Sequence, residues 1–125
     1  MKLTTLFLAL VLATGSAWAE WVKVLDVKDF TYYAEARSPT SQGIIRPVQE
    51  MIGLTETDKT GSKSYVGKYE YDCNGARFRL ISLAAYATFM ASGAPTRIDE
   101  INSGWADVPQ KTARAVLFMR ACGIS

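Results

Sequence analysis

The chain has 125 residues, with 14 lysines and arginines against 12 acidic side chains, two cysteines and no histidine. That near balance of charge argues against a phosphate-tracking nucleic-acid binder, which needs a clear basic excess. Without histidine there is no usual general base for a serine or cysteine nucleophile, and two cysteines are too few ligands for a structural metal site. No catalytic residue, cofactor site or metal site is therefore expected.

The N-terminal segment reads as a secretory signal peptide. Lys2 gives a short positive start, and Leu3 to Ala13 is apolar apart from Thr4 and Thr5. Thr14-Gly15-Ser16 loosens the chain before Ala17-Trp18-Ala19, which places small residues at the positions a signal peptidase reads, so cleavage is expected before Glu20. The apolar run falls short of the roughly 20 residues that a membrane-crossing helix needs. After cleavage no further stretch is long enough to span a membrane, and residues 20–125 form one domain.

In chain order, Trp21 to Val27 and the aromatic Phe30 to Glu35 read as strands, and Arg37 to Gly43 as turn material. Ile44 to Leu54 holds a third strand in which Pro47 points to an edge or a bulge. Glu56 to Ser64 is polar and is expected to be an exposed loop. Between two β-patterned runs sits Asn74-Gly75, the dipeptide favoured by a two-residue type I′ turn. That turn pairs Cys73 with Ala76, Asp72 with Arg77, Tyr71 with Phe78, Glu70 with Arg79 and Tyr69 with Leu80; continued without a break, it pairs Lys68 with Ile81 and Val66 with Leu83. Cys73, Tyr71, Tyr69, Phe78 and Leu80 then share the core face, and Val66/Leu83 form an apolar outer patch open to another segment or to a second copy in a homodimer.

Ala94 to Ile101 suggests a last strand, and Asn102-Ser103-Gly104 a loop. Gln110 to Ala121 reads as a helix that starts near Pro109, with Ala115, Phe118, Met119 and Cys122 on one apolar face, Lys111 flanking it and Arg120 pointing away. Helix and hairpin thus aim both cysteines at one apolar layer, which favours an intramolecular bridge over an intermolecular one in an oxidising compartment. The expected fold is α+β: about six antiparallel strands with a C-terminal helix on one face, tethered by a disulfide.

Several short motifs, in order and spacing, resemble the bacterial surface-adhesin protein E family: Trp21-Val22, Tyr69-Glu70-Tyr71-Asp72-Cys73, Ala76-Arg77-Phe78-Arg79, Ala85-Tyr86, Gly93, Trp105-Ala106-Asp107-Val108-Pro109 and Ala121-Cys122. The resemblance spans essentially the whole mature chain. It implies an antiparallel sheet with a disulfide-tethered helix, Cys73 and Cys122 as the bridging pair, and a location in the periplasm or on the cell surface of a Gram-negative bacterium. It further implies binding to host extracellular proteins. No cysteine follows the signal segment to carry a lipid, which leaves periplasm and surface both open.

Bland roles compete with each candidate contact residue. Tyr65, Tyr69 and Tyr71 lie on the Cys73 face, where core packing is favoured over a ligand surface. Of Tyr32 and Tyr33, on opposite faces, one should be exposed. Trp105 is expected as a hydrophobic clamp at the helix entrance rather than a binding aromatic. Asp26, Asp29, Glu35, Asp72, Asp99, Glu100 and Asp107 are scattered, and no spacing selects a carboxylate pair for glycoside hydrolysis. The functional expectation is a non-enzymatic, exported protein-interaction module. The alternative is a periplasmic inhibitor or small-ligand binder using a concavity between helix and sheet.

Overall fold

The computed structural model describes residues 20–36 and 43–124. The expected signal peptide Met1–Ala19 and most of the expected turn after the second strand lie outside the described residues. Seven strands form one antiparallel sheet: β1 (Trp21–Asp26), β2 (Phe30–Glu35), β3 (Ile45–Leu54), β4 (Ser64–Asp72), β5 (Arg77–Tyr86), β6 (Arg97–Glu100) and β7 (Ala106–Asp107). The first six follow in chain order as a meander, and β7 pairs with the start of β5 beyond the end of β6. One helix, α1 (Ala113–Cys122), packs across one face, and the disulfide Cys73–Cys122, with Cα atoms 5.6 Å apart, ties its last residue to the β4–β5 turn. Fold class and tether agree with the sequence reading.

The core lies between α1 and the sheet. Leu117, Phe118 and Ala121 pack on Tyr69 and Tyr71, with Val24, Tyr32, Val48, Phe78 and Leu80 around them. Tyr71 is fully buried and meets Phe118 edge-on at 5.8 Å between ring centres. The buried helix stripe is therefore Leu117, Phe118 and Ala121, with Arg114 and the partly buried Cys122 in line, rotated by a fraction of a turn from the expected Ala115/Phe118/Met119/Cys122 face. Met119 is exposed. The helix also begins later than Gln110, because Lys111 takes a left-handed φ of 61° and Thr112 acts as N-cap, its hydroxyl accepting from the Ala115 amide.

The hairpin register holds from Asp72↔Arg77 to Tyr69↔Leu80 and then breaks. An extra residue, Ile81, bulges from β5, so Lys68 faces Ser82 and Val66 faces Ala84. This corrects the Lys68/Ile81 and Val66/Leu83 pairs: Leu83 faces Gly67, on the helix side, and Val66 is buried on the other face. The Ile81 carbonyl accepts from the amides of both Ile101 and Asn102, so the expected loop at Asn102 is a matching irregularity between β6 and β7.

The Asn74-Gly75 turn also differs from expectation. Four residues, Cys73 to Ala76, make the turn, and Ala76 alone among them has a positive φ, 54°. Asp72 Oδ1 accepts from the amides of Asn74 and Gly75 at 3.1 and 2.9 Å, and closes the turn from inside. A Cβ at position 75 would lie 2.8 Å from Asp72 Oδ2 and 3.2 Å from Arg77 Nε, so a larger residue there would displace the Asp72–Arg77 pair.

Pro47 lies in a central strand rather than an edge. It opposes Glu70 of β4, while the β2–β3 ladder stops at Ala34↔Glu50, so the missing amide hydrogen of Pro47 falls where β3 has no strand partner on that side among the described residues. At the other end, the polar segment before β4 is not simply exposed. Ser62 and Ser64 are buried, and the Ser64 hydroxyl donates to the Thr88 carbonyl and accepts from the Ala91 amide. The short turn Phe89–Ala91 is thereby folded against the sheet face opposite α1, at the end where Met51 is fully buried.

Candidate functional site

Strand alternation sorts the middle of the sheet into two faces with different uses. Arg46, Val48, Glu50 and Ile52 of β3 share the helix side with Tyr69 and Tyr71. Glu50 is buried there beneath α1, where it pairs with Arg114 and accepts a hydrogen bond from the Tyr71 hydroxyl. Arg114 also donates to the Tyr71 hydroxyl at 2.7 Å, and its guanidinium lies 4.2 Å from the Tyr69 ring centre and 5.2 Å from that of Phe78. Burial pushes the Glu50 carboxyl above its ordinary value despite the pull of Arg114 and the Tyr71 hydroxyl. Burial first, and then the Glu50 charge, raise the Tyr71 phenol further. The Glu50 carboxylate, the Tyr71 hydroxyl and Arg114 Nη1 are bonded to one another, so the trio pins the helix to the sheet.

The helix C-terminus is held as firmly. Arg46 donates to the Ala121 carbonyl at 3.2 Å, and Arg120 to the Glu35 carbonyl at 2.9 Å. The space between helix and sheet is thus filled by Tyr71 and Leu117, which are 0% and 1% exposed. Where these two side chains pack, helix and sheet leave no concavity.

The outer face carries an opening. A shallow groove of about 380 Å³ crosses β3, β4 and the β5 bulge, bounded by Glu35, Pro47, Gln49, Lys68, Glu70 and Ile81, with Val48 and Tyr69 completing its lining. Two departures from regular strand sequence shape it. Pro47 lies past the end of the β2–β3 pairing, and the bulge brings Ile81 to the groove. Lys68 is the one exposed residue of β4. Beside it Arg79 pairs with Glu70 at 2.7 Å, and Arg77 with Asp72 at 2.7 Å. The Asp72 carboxyl sits below its ordinary value of 3.8, chiefly through the Arg77 hydrogen bond and then the Gly75 amide.

Trp105 covers these arginines. Its ring centre lies 4.5 Å from the Arg79 guanidinium carbon and 5.3 Å from that of Arg77. Trp105 is therefore a half-buried aromatic stacked on the outer face at the groove's margin, not a clamp at the helix entrance. Of the tyrosines weighed from sequence, Tyr69 and Tyr71 are core, and Tyr65 is half-buried with its hydroxyl bonded to Asp58. Tyr32 and Tyr33 are both half-buried, so neither is the exposed residue that was expected. Among the described residues, no group of three or more cysteine and acidic side chains is placed to hold a metal ion, and no helix is long and apolar enough to cross a membrane.

The profile of the Surface-adhesin protein E family matches residues 21–123, which covers both faces, the groove and both cysteines. The chain belongs to the surface-adhesin protein E family. Searches of curated proteins and of solved structures each returned no match. Membership in the surface-adhesin protein E family, together with the disulfide, suggests an exported, non-enzymatic protein that works by protein interaction.

The groove escaped the sequence reading because it depends on one inserted residue in β5, and no turn residue or glycine marks the insertion. The Glu50–Arg114 pair had a weak signal: Arg114 lies three and four residues before Leu117 and Phe118, and so falls within the apolar stripe once its phase is set correctly.

Proposed function

We propose that this protein is exported after removal of Met1–Ala19 and acts at the envelope of a Gram-negative bacterium as a non-enzymatic module that binds host extracellular proteins. The observation that carries this reading is the division of labour between the two sheet faces. The middle of the helix side is taken up by packing, whereas the outer side keeps a groove lined by the exposed Lys68 and by Glu70, whose partner Arg79 lies with Arg77 beneath Trp105 on the same face. Tryptophan and arginine at the margin of a concave patch are the residue types that dominate protein–protein contacts.

Binding of the mature protein to immobilised extracellular-matrix proteins tests this. Lys68→Glu and Trp105→Ala should each weaken binding about fivefold or more, the effect of losing one contact worth over ~1 kcal/mol. Lys68→Glu should leave the melting temperature in place, since Lys68 is exposed and without an ion-pair partner among the described residues. No binding at micromolar concentration, or binding indifferent to both substitutions, would sink the proposal. A second copy of the chain is the competing occupant, and size-exclusion chromatography of wild type and Lys68→Glu separates that case.

A further inference from the structure

The Asn74-Gly75 dipeptide has chemistry of its own. In a flexible chain the glycine amide nitrogen attacks the neighbouring asparagine side-chain carbonyl, and glycine is the follower that hinders this attack least. Gly75 N gives up its proton to solvent base and bonds to Asn74 Cγ; the Cγ–Nδ2 bond breaks and ammonia leaves. Water then opens the resulting imide at either carbonyl, leaving aspartate or isoaspartate at position 74. The isoaspartate product lengthens the backbone by one methylene directly after Cys73, the residue bridged to Cys122.

Both residues are exposed, so water and base reach them. The attacking amide, however, is engaged. Gly75 N–H donates to Asp72 Oδ1 at 2.9 Å, and the same oxygen accepts from the Asn74 amide at 3.1 Å. Asp72 Oδ2 is held in turn by Arg77, at 2.7 Å from one guanidinium nitrogen and 3.3 Å from another. Releasing the Gly75 proton means breaking a charge-assisted hydrogen bond and creating a nitrogen anion beside a carboxylate. We propose that Asn74 is a spontaneous deamidation site which the Asp72 carboxylate keeps in check by holding the Gly75 amide. This concerns the turn alone and is independent of the outer-face binding function.

The test is the rate at which Asn74 converts to aspartate and isoaspartate in the mature, disulfide-bonded protein at mildly alkaline pH, read by mass spectrometry of the peptide that contains it. The native protein should deamidate about tenfold or more slowly than the same protein in denaturant, the factor expected from one hydrogen bond to a charged group. Asp72→Ala, shown to be folded by circular dichroism, should approach the denatured rate. Arg77→Ala keeps both turn hydrogen bonds and should stay slow. A native rate equal to the denatured rate overturns the proposal, as does a folded Asp72→Ala that stays slow or an Arg77→Ala that accelerates equally. Should Asp72→Ala fail to fold, Asp72→Asn decides: it retains an oxygen acceptor without the charge, and a rate no faster than wild type would remove the carboxylate from the account.

Discussion

Asp58 shows how one side chain can organise a loop that looks like solvated polar sequence. Its Oδ1 accepts from the Thr60 amide at 2.9 Å, the Thr60 hydroxyl at 2.7 Å and the Ser62 amide at 2.9 Å, and its other oxygen accepts from the Tyr65 hydroxyl. Those donors, the Thr60 hydroxyl foremost, hold the carboxyl far below its ordinary value of 3.8. The native carboxylate therefore binds a proton less readily than the unfolded one. Its contribution to stability is complete above pH about 4 and is withdrawn as pH falls below that. Acid titration of the unfolding free energy should fall more steeply for wild type than for Asp58→Asn, and parallel curves would refute this. At Gly67 the constraint is steric: a Cβ would sit 2.5 Å from Tyr69 Cε2 and 3.3 Å from Leu80 Cδ1. The Tyr69 ring is pinned between Tyr71 and Arg114 and has little freedom to yield. Gly67→Ala should cost about 1–3 kcal/mol in urea denaturation, the range for overpacking a core.

Among the elements, α1 is instructive because its sequence pattern supports two nearby phases. Alanine, valine and methionine surround the true stripe, so hydrophobicity alone does not choose between Leu117 and Met119 as the buried neighbour of Phe118. Arg114 resolves the choice in the folded protein through its partner Glu50, which lies 64 positions earlier in the chain. Glu50→Ala would strand the buried guanidinium and is expected to destabilise the protein by about 3–5 kcal/mol. Glu50→Leu combined with Arg114→Met should recover part of that loss, since neither charge then needs compensation while the buried Tyr71 hydroxyl loses both partners. A double variant as unstable as the single one, by chemical denaturation, would mean that the pair contributes more than mutual neutralisation. The hairpin gives the complementary case. Opposite charges at Asp72/Arg77 and Glu70/Arg79 and the aromatic pair Tyr71/Phe78 fixed the register near the turn. Further on, Val66, Leu83, Ile81 and Ala84 are interchangeable as apolar partners, and the bulge left no trace in the pattern.

At the scale of the whole molecule, one sheet has one helical cover, and the disulfide closes the arrangement. Cys73 and Cys122 are 49 positions apart, so their link restricts a large part of the unfolded chain. Replacing both by serine should lower stability by roughly 4 kcal/mol on the chain-entropy account. The helix should nevertheless stay docked in the fraction that remains folded, because Glu50–Arg114, Arg46–Ala121 and Arg120–Glu35 hold it at both ends. Far-ultraviolet circular dichroism before the unfolding transition checks this, and a loss of helical signal there would show the bridge to be the main anchor. The outer face has no second layer of comparable extent. Among the described residues, the turn Phe89–Ala91 folds over it at the end carrying Ser64 and Met51, and Trp105 covers Arg77 and Arg79.

What the sequence determined by itself was local or pairwise: strand alternation, the charge and aromatic pairing beside the β4–β5 turn, a helix before Cys122, and two cysteines aimed at one layer. These follow from side-chain periods of 2 and 3.6 and from neighbours a few residues apart. The tertiary structure decided the helix phase, the Ile81 bulge, the stacking of Trp105 on Arg77 and Arg79, and the tight space at Gly75. Each of these depends on space or charge supplied by residues that local periodicity does not bring together. The groove belongs to this second group, because its walls come from four strands and much of its shape from a residue that does not fit the ladder.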